Sequence, residues 1–216
     1  MDKIRVLLAE DHTIVREGLI SILEKHPGIT VVAEAVDGRE AVSAVEKTNP
    51  DVILMDFSMP GLNGLEATRQ IKQRKPDSKI IILTRHTSRE YIESLLKAGA
   101  SGYLVKNSAA DELVLAIQTV YQGDSYLDRS ISSLNTIPNV YDSDSKDQEE
   151  VLTPRQTEVL QLIAEGHPNR KIATILNISA KTVENHRANL LRSLGLNSTA
   201  ELIQYAIRQK IISLDD

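Results

Sequence analysis

The sequence predicts a doubly wound α/β domain with a five-stranded parallel sheet, followed by a smaller all-α domain of four helices. Two observations support this fold class. Over residues 1–123, short apolar runs rich in β-branched residues alternate with amphipathic helical stretches, which is typical of parallel strands covered on both faces. From Thr153 onward, helical stretches follow one another without such runs.

The first domain alternates five times between strand and helix. The predicted strands are IRVLLA, ITVVAEA, VILM, KIIIL and GYLV. The helical stretches begin near Ile14, Arg39, Leu65, Ser88 and Ala109, and we interpret TSRE and SAAD before the last two as capping boxes. Right-handed crossovers place the carboxyl ends of parallel strands at one edge of a sheet, so the polar residues that follow the strands should meet there.

The residues at these strand ends indicate a phosphoryl-transfer site. Glu10 and Asp11 follow the first strand, and Asp56 follows the third. Three carboxylates in one crevice repel one another unless a cation joins them, and oxygen ligands with no His or Cys nearby favour Mg²⁺. Thr84 offers a hydroxyl donor and Lys106 a positive charge for a phosphoryl group. Asp56 is then the nucleophile.

Each residue also has a simpler interpretation. An aspartate after a strand, such as Asp11, commonly caps a helix or forms a turn. Thr84 alone would be a strand-end hydroxyl, and Lys106 alone a solvated charge. The combination at four strand ends favours the site, because one mechanism requires all of these residue types.

The motifs LLAEDH, VILMDFSMPGLNG, IIILT and AGASGYLVK resemble the receiver domain of two-component response regulators. The resemblance covers residues 1–123. It implies that Asp56 accepts a phosphoryl group from a sensor histidine kinase, and that Glu10, Asp11, Asp56 and the backbone carbonyl of Ser58 bind Mg²⁺. It also implies that the domain catalyses only its own phosphoryl transfer and autodephosphorylation.

The same resemblance places three residues around the phosphoryl group. Thr84 and Lys106 would contact it, and Tyr103 matches an aromatic residue that turns inward as Thr84 moves. Arg85 departs from the family pattern, in which a small or apolar residue usually follows the threonine. Its cation could either shield the acyl phosphate from water or point to solvent.

Residues 124–147 are predicted to form a flexible linker between the two domains. The stretch is rich in Ser, Asp and Glu and has few consecutive large apolar residues. It therefore buries too little surface to offset the entropy of ordering. We expect at most a short helix near its start, around Ser130.

The second domain, residues 148–216, contains a predicted helix-turn-helix. Its four helices are TPRQTEVLQLIAEG, NRKIATILN, SAKTVENHRANLLRSLG and STAELIQYAIRQKI. Thr153 and Gln156 form a capping box at the first helix, and a tight turn at residues 178–179 joins the second helix to the third.

The third helix has an apolar side and a polar side. Val183, Leu190 and Leu194 share the apolar side, and the polar side carries Lys181, Glu184, Asn185, Ala188 and Arg192. A helix that only packs on a core would show the same division. Asn185 suits bidentate contact with adenine and Ala188 permits close approach to a groove, which favours DNA binding.

The motifs LTPRQTEVLQLIAEG, NRKIA and SAKTVENHRANLLRSLGL resemble the LuxR-type helix-turn-helix of the NarL/FixJ response regulators. The resemblance implies that the third helix enters the major groove of double-stranded DNA. It places Lys181, Glu184, Asn185 and Ala188 near base edges, and Asn169, Thr182, His186, Arg187 and Arg192 near the backbone. The fourth helix would form a dimer contact on DNA. RNA polymerase is a further candidate partner.

Composition and charge limit the remaining classes. The net charge is -5 and cysteine is absent, which excludes disulfides and thiolate zinc sites. No apolar run approaches the ~20 residues of a membrane helix, and the N-terminus does not resemble a signal peptide, so we expect a cytoplasmic protein with no membrane partner. Residues 151–216 carry 8 basic and 6 acidic residues, a modest local excess that suits a polyanion partner.

These features together predict a transcription regulator controlled by Mg²⁺-dependent phosphorylation. Two other classes remain open: a Mg²⁺-dependent small-molecule phosphohydrolase, and an adaptor that binds protein or RNA. Against the first, DFSMP lacks the second acid that haloacid-dehalogenase-like enzymes place two residues after their nucleophile. Salt-dependent, sequence-selective binding of duplex DNA would distinguish a regulator from an adaptor.

Overall fold

The computed structural model describes residues 2–85, 89–132 and 152–212, without the side chains of residues 89–91 and 131–132. The chain divides into two compact units, Met1–Ser143 and Asp144–Asp216. Each unit has its own apolar core. Among the described residues, no helix combines the length and apolar character needed to cross a membrane.

The first unit is an α/β domain, as the sequence predicts. Its elements are β1 (Ile4–Ala9), α1 (Thr13–Glu24), β2 (Ile29–Ala35), α2 (Gly38–Thr48), β3 (Val52–Asp56), α3 (Gly64–Arg74), β4 (Ile80–Thr84), α4 (Arg89–Lys97), β5 (Gly102–Val105), α5 (Ala110–Gln122), β6 (Tyr126–Leu127) and α6 (Arg129–Ser132). The bounds of β1, β2 and β5 are those of the predicted apolar runs.

All strands are parallel and follow the order β2-β1-β3-β4-β5-β6. Successive residues alternate between the two faces, so that Leu7 and Ile53 belong to one apolar cluster while Leu8 and Leu54 belong to the other. The direction of strand addition reverses between β1 and β3. A crevice therefore opens at the carboxyl ends of these two strands.

The sixth strand was not predicted from the sequence. Tyr126–Leu127 pairs with Gly102 and Tyr103 of β5, and α6 follows directly. Both elements lie in the range 124–147, so the linker prediction needs correction at its start, apart from the expected short helix. A strand of two residues is too short to give a periodic signal. Residues 133–147 of the predicted linker lie outside the described residues.

Neither of the two capping boxes predicted for the first unit is confirmed by the structure. Asp37 and Asn63 cap α2 and α3 by accepting hydrogen bonds from backbone N–H groups. The capping box predicted at SAAD is wrong, because the residue before α5 is Ala109 and the Ser108 hydroxyl donates to Asp128 instead. Thr87 and Ser88 of TSRE, before α4, lie outside the described residues.

The second unit contains the four predicted helices. They are α7 (Pro154–Ala164), α8 (Asn169–Leu176), α9 (Ala180–Leu194) and α10 (Thr199–Arg208). Thr153 and Gln156 form the predicted reciprocal capping box. Asn177 ends α8 in the left-handed conformation with φ of 51°, and Ser179 caps α9. Because this connection is short, α8 and α9 form a helix-turn-helix.

Candidate functional site

Asp56 ends β3 at the crevice between β1 and β3. It is only 1% exposed, which is unusual for an ionisable side chain. Gly64, the first residue of α3, packs directly on its backbone. A Cβ at Gly64 would lie 2.1 Å from the Asp56 carbonyl oxygen. The absence of a side chain at this position therefore allows the loop after β3 to fold back over the strand end.

Lys106 joins the two buried carboxylates of the crevice. Its Nζ lies 2.8 Å from Asp56 Oδ2 and 2.9 Å from Glu10 Oε2. The Lys106 backbone N–H donates to the Thr84 carbonyl oxygen at 2.8 Å. Thr84 itself ends β4 and is buried. The structure thus brings together residues from the ends of β1, β3, β4 and β5, as the parallel topology predicts.

The pKa values of Asp56 and Lys106 both depart from their usual values. Burial raises the pKa of Asp56 from 3.8 to about 7, and repulsion from Glu10 raises it too, whereas attraction from Lys106 opposes the rise. Burial alone would lower the pKa of Lys106, but the Asp56 and Glu10 carboxylates outweigh burial and raise it. An additional positive charge would favour the ionised form of Asp56, which is its nucleophilic form.

The carboxylates fit a hard divalent cation. Within the described part of the chain, Glu10 Oε2, Asp11 Oδ1 and Asp56 Oδ2 are buried oxygens with no aligned hydrogen-bond donor, although amine and imidazole nitrogens lie within ion-pair distance. Ligand atoms of Glu10, Asp11, His12 and Asp56 all lie within 4.8 Å of one another. Clustered carboxylate oxygens are the ligands that Mg²⁺ prefers.

His12 lies beside the carboxylates, so the expectation of a site with no histidine nearby is wrong. Its Nδ1 lies 3.1 Å from Glu10 Oε1 and 3.0 Å from Asp11 Oδ1. The side chain folds back over the turn after β1 and remains 40% exposed. Although an imidazole favours softer metals than Mg²⁺, the oxygen ligands still outnumber it at this site.

Arg16 is a supporting residue that sequence reasoning missed. Its Nη1 donates to the Glu10 carbonyl oxygen at 2.9 Å, and its Nε lies 3.2 Å from Glu34 Oε2. The guanidinium therefore fixes the loop that presents Glu10. An arginine in the first turns of a helix gives no sequence signal for such a contact.

The remaining predicted residues of the first unit lie around this crevice. The Ser58 N–H donates to Asp56 Oδ1 at 3.3 Å, and the role of its carbonyl as a metal ligand stays a prediction. Tyr103 is buried in β5, opposite Ile82 of β4. Arg85 is exposed, which agrees with the alternative that its cation points to solvent.

The predicted DNA-contacting residues of the second unit lie on the helix-turn-helix. Val183 and Leu190 are buried in the core of the unit. The exposed side of α9 carries Lys181, Glu184, Asn185, Ala188 and Arg192. The partly exposed positions are Asn169, Thr182, His186 and Arg187. One helix thus presents a continuous polar surface, and Asn169 begins the preceding helix, α8.

Two contacts shape this polar surface. Lys181 Nζ lies 3.1 Å from Glu184 Oε2, so the first basic group of α9 is partly neutralised. Arg192 donates to Asn189 Oδ1 at 3.0 Å. Both pairs are exposed, and such pairs contribute little to stability. Their side chains are therefore available to exchange these contacts for others.

Arg155 is a structural residue of the second unit that the sequence did not reveal. Its Nη1 lies 2.6 Å from Glu158 Oε2, and its Nη2 donates to the Leu176 carbonyl oxygen at 2.9 Å. The guanidinium thereby satisfies a carbonyl at the end of α8, directly before the turn into α9. It links α7 to the helix-turn-helix.

Comparison with known proteins identifies the family. The profile described as "Response regulator receiver domain" matches residues 6–118, and the profile described as "Bacterial regulatory proteins, luxR family" matches residues 150–206. The chain belongs to the NarL family of two-component response regulators. It combines a receiver with a LuxR-type helix-turn-helix, and the chain is a DNA-binding response regulator. This result confirms the prediction of a DNA-binding response regulator over the phosphohydrolase and adaptor alternatives.

Two curated relatives match nearly the whole response regulator. The oxygen regulatory protein NreC of Staphylococcus epidermidis is 41% identical over 215 residues, which cover 96% of this chain and 99% of that protein. The transcriptional regulatory protein DegU of Brevibacillus brevis is 39% identical over 222 residues, which cover 96% and 94%.

Solved structures of response regulators share the fold. A LuxR-family response regulator from Aurantimonas sp. SI85-9A1 has a TM-score of 0.59 and 40% identity, covering 61% of this chain and 94% of that one. Salmonella typhimurium RcsB has a TM-score of 0.58 and 28% identity, covering 95% and 98%. A structure of two RcsB dimers bound to two parallel DNAs has the same TM-score and identity, covering 94% and 98%.

Proposed function

We propose that Asp56 accepts a phosphoryl group from a sensor histidine kinase and that this modification controls promoter binding by α9. The observation that carries the proposal is the Lys106 ammonium, placed within 2.9 Å of carboxylate oxygens of both Glu10 and Asp56. A buried cation beside a buried nucleophile is the arrangement that phosphoryl transfer requires.

The chemistry follows from the groups at the crevice. A carboxylate oxygen of Asp56 attacks the phosphorus of the phosphohistidine, so that an O–P bond forms, the P–N bond breaks and the imidazole leaves with the kinase. Lys106 then contacts a phosphoryl oxygen, and the Thr84 hydroxyl donates to another. Water later attacks the acyl phosphate, so that the O–P bond to Asp56 breaks, inorganic phosphate leaves and the Asp56 carboxylate is restored. We assign no other reaction to the receiver.

A bound divalent cation would assist this transfer by neutralising charge on the phosphoryl group. Glu10, Asp11 and Asp56 would hold Mg²⁺, together with the backbone carbonyl of Ser58. The buried carboxylate oxygens of these three residues, which lack an aligned hydrogen-bond donor, support this choice of ligands.

Phosphorylation would act by shifting an existing equilibrium of the receiver. The phosphoryl group competes for Lys106 and Thr84, so it favours the conformation in which both reach it. In that conformation Tyr103 turns toward the position that Thr84 has left. The favoured state would form a homodimer, and two helix-turn-helix units would then bind two half-sites of promoter DNA. RNA polymerase would be the partner of the bound dimer.

The first experiment measures intact mass after incubation of the full chain with acetyl phosphate and Mg²⁺. We expect the mass of one phosphoryl group to be added, and no addition to Asp56→Ala, with circular dichroism confirming that the variant is folded. An Asp124→Asn variant, which alters an exposed acid, should still be modified. Uptake of one phosphoryl group by Asp56→Ala would place the acceptor elsewhere.

A second experiment addresses the DNA-binding half. Fluorescence anisotropy of a labelled promoter duplex would compare the phosphorylated and unphosphorylated full chain at several salt concentrations. We expect tighter binding after phosphorylation and a linear fall of log affinity with log salt, because counterions leave the phosphates. Binding that is insensitive to salt and to sequence would contradict the assignment of α9.

A further inference from the structure

Asp128 is a buried carboxylate that the phosphoacceptor site does not use. It follows β6 directly and is only 2% exposed. Four donors reach its two oxygens. Oδ2 accepts from the Val105 N–H at 3.1 Å and from the Ser108 hydroxyl. Oδ1 accepts from the Ser130 N–H at 2.9 Å and from the Ser130 hydroxyl at 2.6 Å.

The two oxygens serve different parts of the receiver. Val105 and Ser108 flank Lys106 in the loop between β5 and α5, whereas Ser130 belongs to α6. The Asp128 backbone N–H also donates to the Tyr103 carbonyl oxygen at 3.0 Å. One residue therefore connects the strand and loop that present Tyr103 and Lys106 to the last described element before the DNA-binding unit.

The four hydrogen bonds also determine the charge of Asp128. Burial would raise the pKa of this carboxyl, but the hydroxyls of Ser108 and Ser130 and the N–H groups of Val105 and Ser130 outweigh burial and lower it. The group is thus an ionised, fully hydrogen-bonded anchor. Removing the donors from one side would leave one buried carboxylate oxygen without a hydrogen bond, which is costly. The two sides are therefore expected to move together.

We propose that Asp128 is a positioning residue that couples the Lys106 loop to α6, so that phosphorylation of Asp56 is transmitted along the chain toward the DNA-binding unit. The inference rests on the proposed function of Asp56 and Lys106. When Lys106 leaves its bridge between two carboxylates to contact a phosphoryl group, the backbone at Val105 and Ser108 shifts with it. Asp128 keeps its donors, and the start of α6 follows.

Two substitutions weaken the connection in different ways. Asp128→Asn keeps the size of the side chain but replaces one accepting oxygen by an NH₂ donor. The amide can then accept on only one side, so the backbone N–H of either Val105 or Ser130 loses its acceptor. Ser108→Ala leaves the carboxylate intact and removes one hydroxyl on the Lys106 side. Asp124→Asn changes the same charge at an exposed position and is the matched control.

The test is a titration of the full chain with beryllofluoride and Mg²⁺, followed by backbone amide NMR. Beryllofluoride forms a phosphoryl-like adduct on an aspartate without a kinase. In the unaltered protein and in Asp124→Asn, we expect the amide signals of Asp56, Val105 and Ser130 to shift together. In Asp128→Asn and Ser108→Ala, the signal of Asp56 should still shift, but the shift at Ser130 should be smaller than in the unaltered protein. The loss should be greater in Asp128→Asn, because Ser108→Ala keeps the hydrogen bond from the Val105 N–H.

Each outcome separates the two proposals. A full shift at Ser130 in both Asp128→Asn and Ser108→Ala would overturn the coupling role while leaving the function of Asp56 intact. The coupling role is also overturned if, in the unaltered protein, the amide signal of Asp56 shifts and that of Ser130 does not. If no amide near Asp56 shifts in any protein, the proposed function fails and the coupling fails with it. Should Asp128→Asn not fold, Ser108→Ala still decides the question.

Discussion

Replacing Asp56 by Asn should stabilise the receiver at neutral and alkaline pH when no divalent cation is present. The folded protein raises the pKa of Asp56 from 3.8 to about 7 because the carboxylate is buried. Between these two values the folded state binds more protons than the unfolded state, so the free energy of unfolding decreases as the pH rises. Above the pKa that Asp56 has in the folded state, the free energy of unfolding no longer decreases on account of this group.

The two pKa values set the size of the effect. One pKa unit corresponds to about 1.4 kcal/mol, so ionised Asp56 would lower the free energy of unfolding by about 4 kcal/mol at pH 8. At pH 5, where most of the unfolded chains but few of the folded ones are ionised at Asp56, the destabilisation is only about 1–2 kcal/mol. The amide introduced by Asp56→Asn does not titrate, so the stability difference between this variant and the parent protein should grow by roughly 2–3 kcal/mol between pH 5 and pH 8.

Urea unfolding of the full chain in EDTA, followed by circular dichroism, measures this difference. Because the substitution lies in the receiver, the transition that moves between the two proteins reports the receiver. With an m-value of about 1–3 kcal/mol/M, its midpoint at pH 8 should rise by about 1 M or more. Asp124→Asn should show no such dependence, and Mg²⁺ should narrow the difference by stabilising the ionised parent. An equal difference at pH 5 and pH 8 would refute the reasoning.

Three further substitutions test other parts of the molecule. Gly64→Ala should cost about 1–3 kcal/mol of stability and slow phosphoryl uptake, because its Cβ would overlap the backbone of the acceptor; Gly18→Ala, with open space around it, should stabilise by about 0.5–1 kcal/mol. Asn185→Ala should cost about 1–3 kcal/mol at one base position in DNA titrations; an equal loss on all sequences would instead indicate a backbone contact. Arg155→Met should lower the stability of the helical unit by about 1–3 kcal/mol in urea unfolding, whereas Arg170→Met, at an exposed position, should have little effect.

The strands and the core of the site could be predicted because burial and topology leave few choices. An apolar β-branched run such as VILM has a strong strand signal, and parallel crossovers bring strand ends to one edge. Lys106 therefore lies within ion-pair distance of Glu10 and Asp56, and its backbone N–H bonds to Thr84 at the end of the neighbouring strand.

The supporting contacts could not be predicted because they depend on short elements and on side-chain direction. Asp128 follows a strand of two residues, which is too short to show an alternation of apolar and polar residues in the sequence. Ser108 lies where a helix cap is expected, yet its hydroxyl donates to the carboxylate of Asp128, 20 residues further along the chain. His12 is adjacent in sequence to two carboxylates, and only the turn after β1 decides that its ring lies against them. A local hydrogen bond and a bond to a distant residue differ little in free energy for such side chains. The sequence near the residue therefore does not show which partner is chosen.

In the proposed mechanism, the ion pairs that Lys106 makes in the resting crevice would help to set the free energy of switching. A two-state equilibrium moves from 1:99 to 99:1 only if the phosphoryl group favours one state by about 5.5 kcal/mol. Lys106 holds the resting arrangement because it pairs with both Glu10 and Asp56, and the proposed phosphorylation of Asp56 would replace one of these partners by a group of greater negative charge. The difference in free energy would therefore arise where Lys106 moves. The loop that contains Lys106 is hydrogen-bonded to Asp128, which also accepts from Ser130 of α6, so the proposed coupling would carry this movement to α6.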